Sequence, residues 1–132
     1  MKSVDEVKVE MLKKKKWVVV GVTKDQDKFG YKIFKRLKNK GFTVYGVNPK
    51  YDEIDGEKIY KSILEIDDDI DCVSMVVSPK VSIKVIDEIV KNNINYVWFQ
   101  PGAFDEEVLD KSKQNKLEIV YFDCVYVDLA KI

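Results

Sequence analysis

The chain of 132 residues has the length of one domain, and its 45% hydrophobic content suits a protein with a true core. Lys+Arg and Asp+Glu both count 23, so no net charge draws nucleic acid or anionic lipid from a distance. The chain has no histidine, which excludes Ser-His-Asp and Cys-His catalysis, histidine metal sites and phosphohistidine chemistry within it.

Residues 1–15 set Val4, Val7, Met11 and Leu12 among many charges, a spacing that predicts a short helix packed on the domain edge. Lys13 to Lys16 reads as its solvated end, since no aromatic or arginine cluster makes it a nucleic-acid patch. The N-terminus is charged rather than apolar, and no run approaches the roughly 18 apolar residues of a membrane span. Cys72 and Cys124 form no CxxC pair. The expectation is a reduced, cytoplasmic protein with neither a membrane nor a nucleic-acid partner.

From residue 17 the chain alternates regularly. Residues 17–21 read as a buried strand, and Ile33, Phe34 and Leu37 mark a helix over 31–40 with Gly41 at its C-terminal end. Residues 43–47 form a second strand ending at Asn48-Pro49. A loop with a helical turn around Ser62–Glu65 leads to a third strand from Cys72 to Val77. Ser78 caps a helix with Pro79 at its first position, and Val81, Val85, Ile86, Ile89 and Val90 make its apolar face. Residues 96–99 are a fourth strand, in which Trp98 and Phe99 suit either a dimer face or a strand beneath a helix. Asp105 caps a helix running to about Asn115, 118–122 is a fifth strand, and a short tail follows. The predicted fold is α/β: one doubly wound, Rossmann-like parallel sheet of five strands in the order 3-2-1-4-5, with helices on both faces. Residues 1–132 then form a single domain with its core over 17–124. Cys72 opens one strand and Cys124 follows the end of another, so the two should lie at opposite sheet edges, roughly 15–20 Å apart.

Ligands of such sheets bind outside the carboxyl ends of the strands. The candidate residues there are Gly21, Val22, Thr23, Lys24, Lys28, Phe29, Gly30 and Tyr31 in and after the first loop. Asn48, Pro49 and Lys50 follow the second strand, Ser78, Pro79 and Lys80 the third, and Gln100, Pro101 and Gly102 the fourth. Free amides and the helix dipole beyond the first loop favour an anion, to which Thr23 adds a hydroxyl and Lys24 and Lys28 add charge. Arg36 is the only arginine, so phosphate recognition falls to lysine and backbone amides. NAD sites place Asp or Glu at the end of the second strand to hold the ribose. Asn48 with Lys50 at that position favours a phosphorylated ribose, as in CoA or NADP.

Val20-Gly21-Val22-Thr23 with Gly30, Gly46-Val47-Asn48-Pro49, and Gly56 with Tyr60-Lys61-Ser62 recur in order with Ser78-Pro79-Lys80, Trp98-Phe99-Gln100-Pro101-Gly102 and the late Cys124. Over about residues 17–124 this series resembles the CoA-binding protein family, relatives of the CoA-binding domain in the alpha subunit of succinyl-CoA synthetase. The sequence departs from the family pattern at Phe29, where proline is common, and at Asp123, where a basic residue is common. The resemblance implies a pyrophosphate along Thr23 to Tyr31, an adenosine phosphate near Asn48 to Lys50, and a pantetheine arm running past Ser78-Pro79 toward Gln100–Gly102. Cys124 becomes a candidate contact for the ligand thiol. The expected function is binding of CoA or acyl-CoA by a non-catalytic carrier, sensor or regulatory module. The alternatives are an NADP-binding oxidoreductase-type domain and a Rossmann-like interaction module with a vestigial site. A protein partner, including a second copy, is left open.

Overall fold

A computed structural model describes residues 2–132; Met1, the first residue of the segment expected to be helical, lies outside the described residues. Helix α1 spans Val4–Lys13. It starts with a capping box, in which Ser3 Oγ accepts from Glu6 N–H at 3.2 Å and Glu6 Oε1 accepts from Ser3 N–H at 3.4 Å. Its Val7 and Met11 are buried.

The elements that follow are β1 (Lys16–Val20), α2 (Phe29–Asn39), β2 (Thr43–Val47), β3 (Glu53–Ile54) and β4 (Glu57–Tyr60). A 3-10 turn at Ile63–Glu65, β5 (Cys72–Met75) and α3 (Pro79–Lys91) come next. The chain ends with β6 (Tyr96–Phe99), α4 (Glu106–Gln114), β7 (Glu118–Val120) and α5 (Val125–Leu129). Ser78 and Asp105 precede α3 and α4 as expected, and Asp105 Oδ1 accepts from Val108 N–H at 2.9 Å.

The sheet is Rossmann-like and mostly parallel, but it holds seven strands rather than five, in the order β3-β4-β2-β1-β5-β6-β7. The two additional strands form a hairpin in the segment expected to be loop. Asp55 (φ 52°) and Gly56 (φ 79°) both take the left-handed conformation at its turn, which suits an Asp-Gly pair joining antiparallel strands. Strand β4 then pairs in parallel with β2 through Gly46–Ile59 and Val47–Tyr60. This corrects the strand order. The position outside 43–47 belongs to 57–60, while Cys72–Met75 lies on the other side of β1. Counting β4 as the third strand restores a doubly wound 3-2-1-4-5 arrangement, with β7 added at the far edge.

Alternation along the buried strands divides the core. Trp17, Val19 and Trp98 face α1, α2 and α5, where Met11, Phe34 and Leu129 cover them. Val18, Val20, Val97 and Phe99 face α3 and α4, packed against Ile86, Ile89 and Val108. Trp98 and Phe99 are both fully buried, so neither can line a dimer face. The tail is also corrected, because Val125 and Leu129 bury one side of a short helix there. Cys72 opens β5 and Cys124 precedes α5 beyond the carboxyl edge; both are free thiols, and burial pushes the Cys72 thiol up. Among the described residues no helix is long and apolar enough to cross a membrane.

Candidate ligand site at the carboxyl edge

The site begins with two glycines. Gly21 follows β1 with φ +107°, and its N–H donates to Val47 O at 2.9 Å. A Cβ on Gly30 would stand 2.1 Å from Gly21 O, so the first turn of α2 lies directly against the loop after β1. Only glycine permits that approach. Lys28 precedes α2 without a side-chain cap, and no acid occupies the first turn; the same holds for Ser78 and α3. By contrast, α1 and α4 are capped by Ser3 and Asp105 and carry acids in their first turns. The two longest helices therefore start at this edge with their positive ends uncompensated.

Between these helix starts runs a cavity of about 790 Å³, within the usual range of small-molecule sites. The loop after β1 lines it with Gly21, Thr23, Lys28, Phe29 and Gly30. The later loops add Asn48 and Lys50, Ser78, and Gln100, Pro101 and Gly102. A second cavity of about 450 Å³ adjoins it, sharing Gly21, Asn48, Lys50 and Ser78 and adding Pro49 and the Val81, Lys84 and Val85 face of α3.

The other candidates stand apart from both cavities. Val22 is fully buried, and its carbonyl accepts from Asn48 Nδ2 at 2.8 Å. Lys24 Nζ lies 5.7 Å from the Tyr51 ring centre. Tyr31 donates to Asp55 Oδ2 at 2.7 Å, toward the hairpin. Pro79 and Lys80 form the first residues of α3. Cys124 Sγ receives a hydrogen bond from Gln100 Nε2 at 2.9 Å.

Asn48 has a structural task. Its amide pins the loop after β1, and its Oδ1 accepts from Lys50 N–H at 2.9 Å, shaping the turn that presents Lys50. Asp25, Asp27, Tyr51, Val76, Val77 and Ala103 also line the larger cavity and escaped the sequence reading. Asp25 and Asp27 are acids in a loop expected to be cationic, and Asp25 shapes that loop. Asp25 N–H donates to Thr23 Oγ1 at 3.2 Å, and Asp25 Oδ1 accepts from Asp27 N–H at 3.0 Å. Tyr51 stands one residue past Lys50. Its hydroxyl lies 3.2 Å from Thr23 Oγ1; that hydrogen bond, one from the Lys24 backbone, and the nearby Lys24 and Lys50 charges hold its pKa below the ordinary phenol value.

Comparison with known proteins shows the family of the chain. The profile of the family described as the CoA binding domain matches residues 15–130. An ADP-forming acetate–CoA ligase from Methanocaldococcus jannaschii is 39% identical over 100 residues, which are 76% of this chain and 14% of the ligase. The chain therefore spans about one seventh of that relative. An uncharacterised protein from Bacillus subtilis is 27% identical over 92% of this chain and 90% of its own length. A conserved hypothetical protein from Pyrococcus furiosus has a solved structure that superposes with a TM-score of 0.82, at 40% identity, over 87% of this chain and 99% of that one.

Proposed function

The chain belongs to the CoA binding domain family, and on that premise we propose that it binds CoA or an acyl-CoA along the carboxyl edge of its sheet. Its role is that of a carrier, sensor or regulatory module. The observation that carries this reading is the contact of Gly30 with Gly21, which brings the start of α2 to the cavity wall. A pyrophosphate fits there, because α2 begins without a competing acid or side-chain cap and Lys28 lines the same wall. The second cavity, bounded by Val47, Pro49, Val81 and Val85, suits an adenine ring. The loop carrying Gln100 and Gly102 remains for the pantetheine arm. When bound, CoA supplies a thiol that carries an acyl group as a thioester. The chain's own residues bind and orient it. Lacking any histidine, the chain performs no phosphohistidine transfer of its own.

Lysines border the second cavity at 50, 61 and 84. Lys61 is engaged already, donating to Tyr51 O at 3.0 Å and pairing with Asp52 at 2.8 Å. Lys50 lies on the turn shaped by Asn48 and takes the 3′-phosphate in this reading. Lys50→Ala is expected to weaken CoA about tenfold while leaving dephospho-CoA nearly unchanged, the size of one charge-assisted phosphate contact. Titration calorimetry with the two ligands measures the difference. Equal losses for both would show that Lys50 does not read that phosphate.

A further inference from the structure

Strand β7 ends the sheet on one side, and no strand lies beyond it among the described residues. It pairs in parallel with β6, and Glu118 N–H donates to Asn95 O at 2.7 Å. Peptide groups along a strand face alternate sides, so the N–H and C=O of Ile119 point away from β6 and out of the sheet. No proline interrupts residues 116–122, so this edge keeps its donors.

A cavity of about 620 Å³ lies along the edge and is lined from both faces of the sheet. Val4 and Val7 of α1 stand on one face, and Leu117, Ile119 and Tyr121 on the other. Val4 is exposed, and Ile119 and Tyr121 are half-buried. Just past them Phe122 is 74% exposed, its ring centre 5.1 Å from that of Phe104. Unpaired backbone between two apolar walls is the form that receives an added strand, whose alternate side chains pack on the two walls.

Charge selects the occupant. Lys2, at the α1 side of the cavity, pairs with Glu10 at 2.7 Å, and Glu118 adds to the negative charge around it. Lys113 in the last turn of α4 and Lys116 just after it line the other side. Both are exposed and make no ion pair among the described residues. A second copy of the chain would bring the same two lysines to this edge, like charge to like. A segment that carries carboxylates meets them with opposite charge.

We propose that the β7 edge is a docking surface for an extended, acidic segment of another protein, which joins the sheet as a further strand. Its backbone pairs with Ile119, its apolar side chains fill the cavity, and its carboxylates face Lys113 and Lys116. None of the residues lining this cavity lines either cavity at the carboxyl edge, so the proposal does not rest on the CoA reading.

Titration calorimetry of the whole protein with a capped peptide of alternating valine and glutamate, about eight residues long, tests the assignment. The peptide is expected to bind, and its counterpart with lysine for glutamate should bind at least about tenfold more weakly. Lys113→Glu combined with Lys116→Glu should invert that preference. Ile119→Pro removes an outward N–H and should abolish binding. The lysine variant carries the test by itself should Ile119→Pro not fold, since both lysines are exposed. CoA titrations of the parent and the lysine variant should match, and failure of the CoA reading would leave this proposal standing. No binding of the glutamate peptide, equal affinity for the two peptides, or an unchanged preference in the lysine variant would overturn it. A dimer of the unaltered protein in sedimentation, dissociated by Ile119→Pro, would also overturn it and give the edge to a second copy.

Discussion

Gly30→Ala is expected to abolish CoA binding and to lower stability by about 1–3 kcal/mol, the usual scale of overpacking a well-filled site. The sign is diagnostic. In an ordinary helix, Gly→Ala stabilises by about 0.5–1 kcal/mol, because alanine loses less conformational freedom on folding. Here the added methyl would stand 2.1 Å from Gly21 O and 3.1 Å from Gly21 C, and both are backbone atoms that cannot rotate aside. Gly21 cannot retreat either. Its N–H is held by Val47 O, and a Cβ placed on it would already stand 2.5 Å from Val76 O. The start of α2 must therefore move away from the loop, which separates the helix from the cavity wall it forms. Urea denaturation of the variant, with and without CoA, checks both halves of the expectation. A variant as stable as the parent, or one that still binds CoA, would show that the contact is not needed.

Arg36→Ala is expected to release α5 while the sheet stays folded, at a cost of about 1–3 kcal/mol, the scale of hydrogen bonds to a charged group. The guanidinium lies 3.6 Å from the Tyr126 ring centre. Its Nη1 donates to Tyr126 O at 3.0 Å and its Nη2 to the Tyr126 hydroxyl at 2.9 Å. One planar group thus stacks and donates twice, which a lysine cannot reproduce. On the opposite flank Lys8 pairs with Asp123 at 2.8 Å and with Asp128 at 3.5 Å, and Lys40, just after α2, donates to Ile132 O. Hydrogen exchange over residues 125–132 should accelerate in Arg36→Ala far more than exchange in β1 or β5. Arg36→Lys should resemble the alanine variant. Protection restored by lysine would mean that charge alone holds the helix.

The fold was legible wherever burial imposed a period. The run at 17–20 is apolar at every position because both of its faces are covered, and the helices over 31–40 and 79–91 show one apolar stripe each. The β3–β4 hairpin was not recognised because its strands are only two and four residues long and half of their residues are charged. Asp55-Gly56 was the signal, since both residues need positive φ in such a turn. Missing it displaced the strand at 72–75 to the wrong side of β1. Helix α5 is five residues long, and it is held by the buried Val125 and Leu129 and by Arg36 and Lys8, which are remote in sequence. At the ligand edge, glycine, lysine and the Gln100 loop were legible because each sits at a strand end. The work of Asn48, Asp25 and Cys124 was not, because those side chains serve neighbouring loops, and loop contacts leave no periodic trace.

Titration calorimetry of the unaltered protein with CoA, dephospho-CoA, NADP and NAD tests the central claim most directly. Binding of one CoA per chain, weaker binding of dephospho-CoA, and no comparable heat with NADP or NAD are the expected results. At one hundred times its dissociation constant CoA should then stabilise the fold by about 2.7 kcal/mol. NADP binding as tightly as CoA, or no heat with any of the four, would contradict that claim.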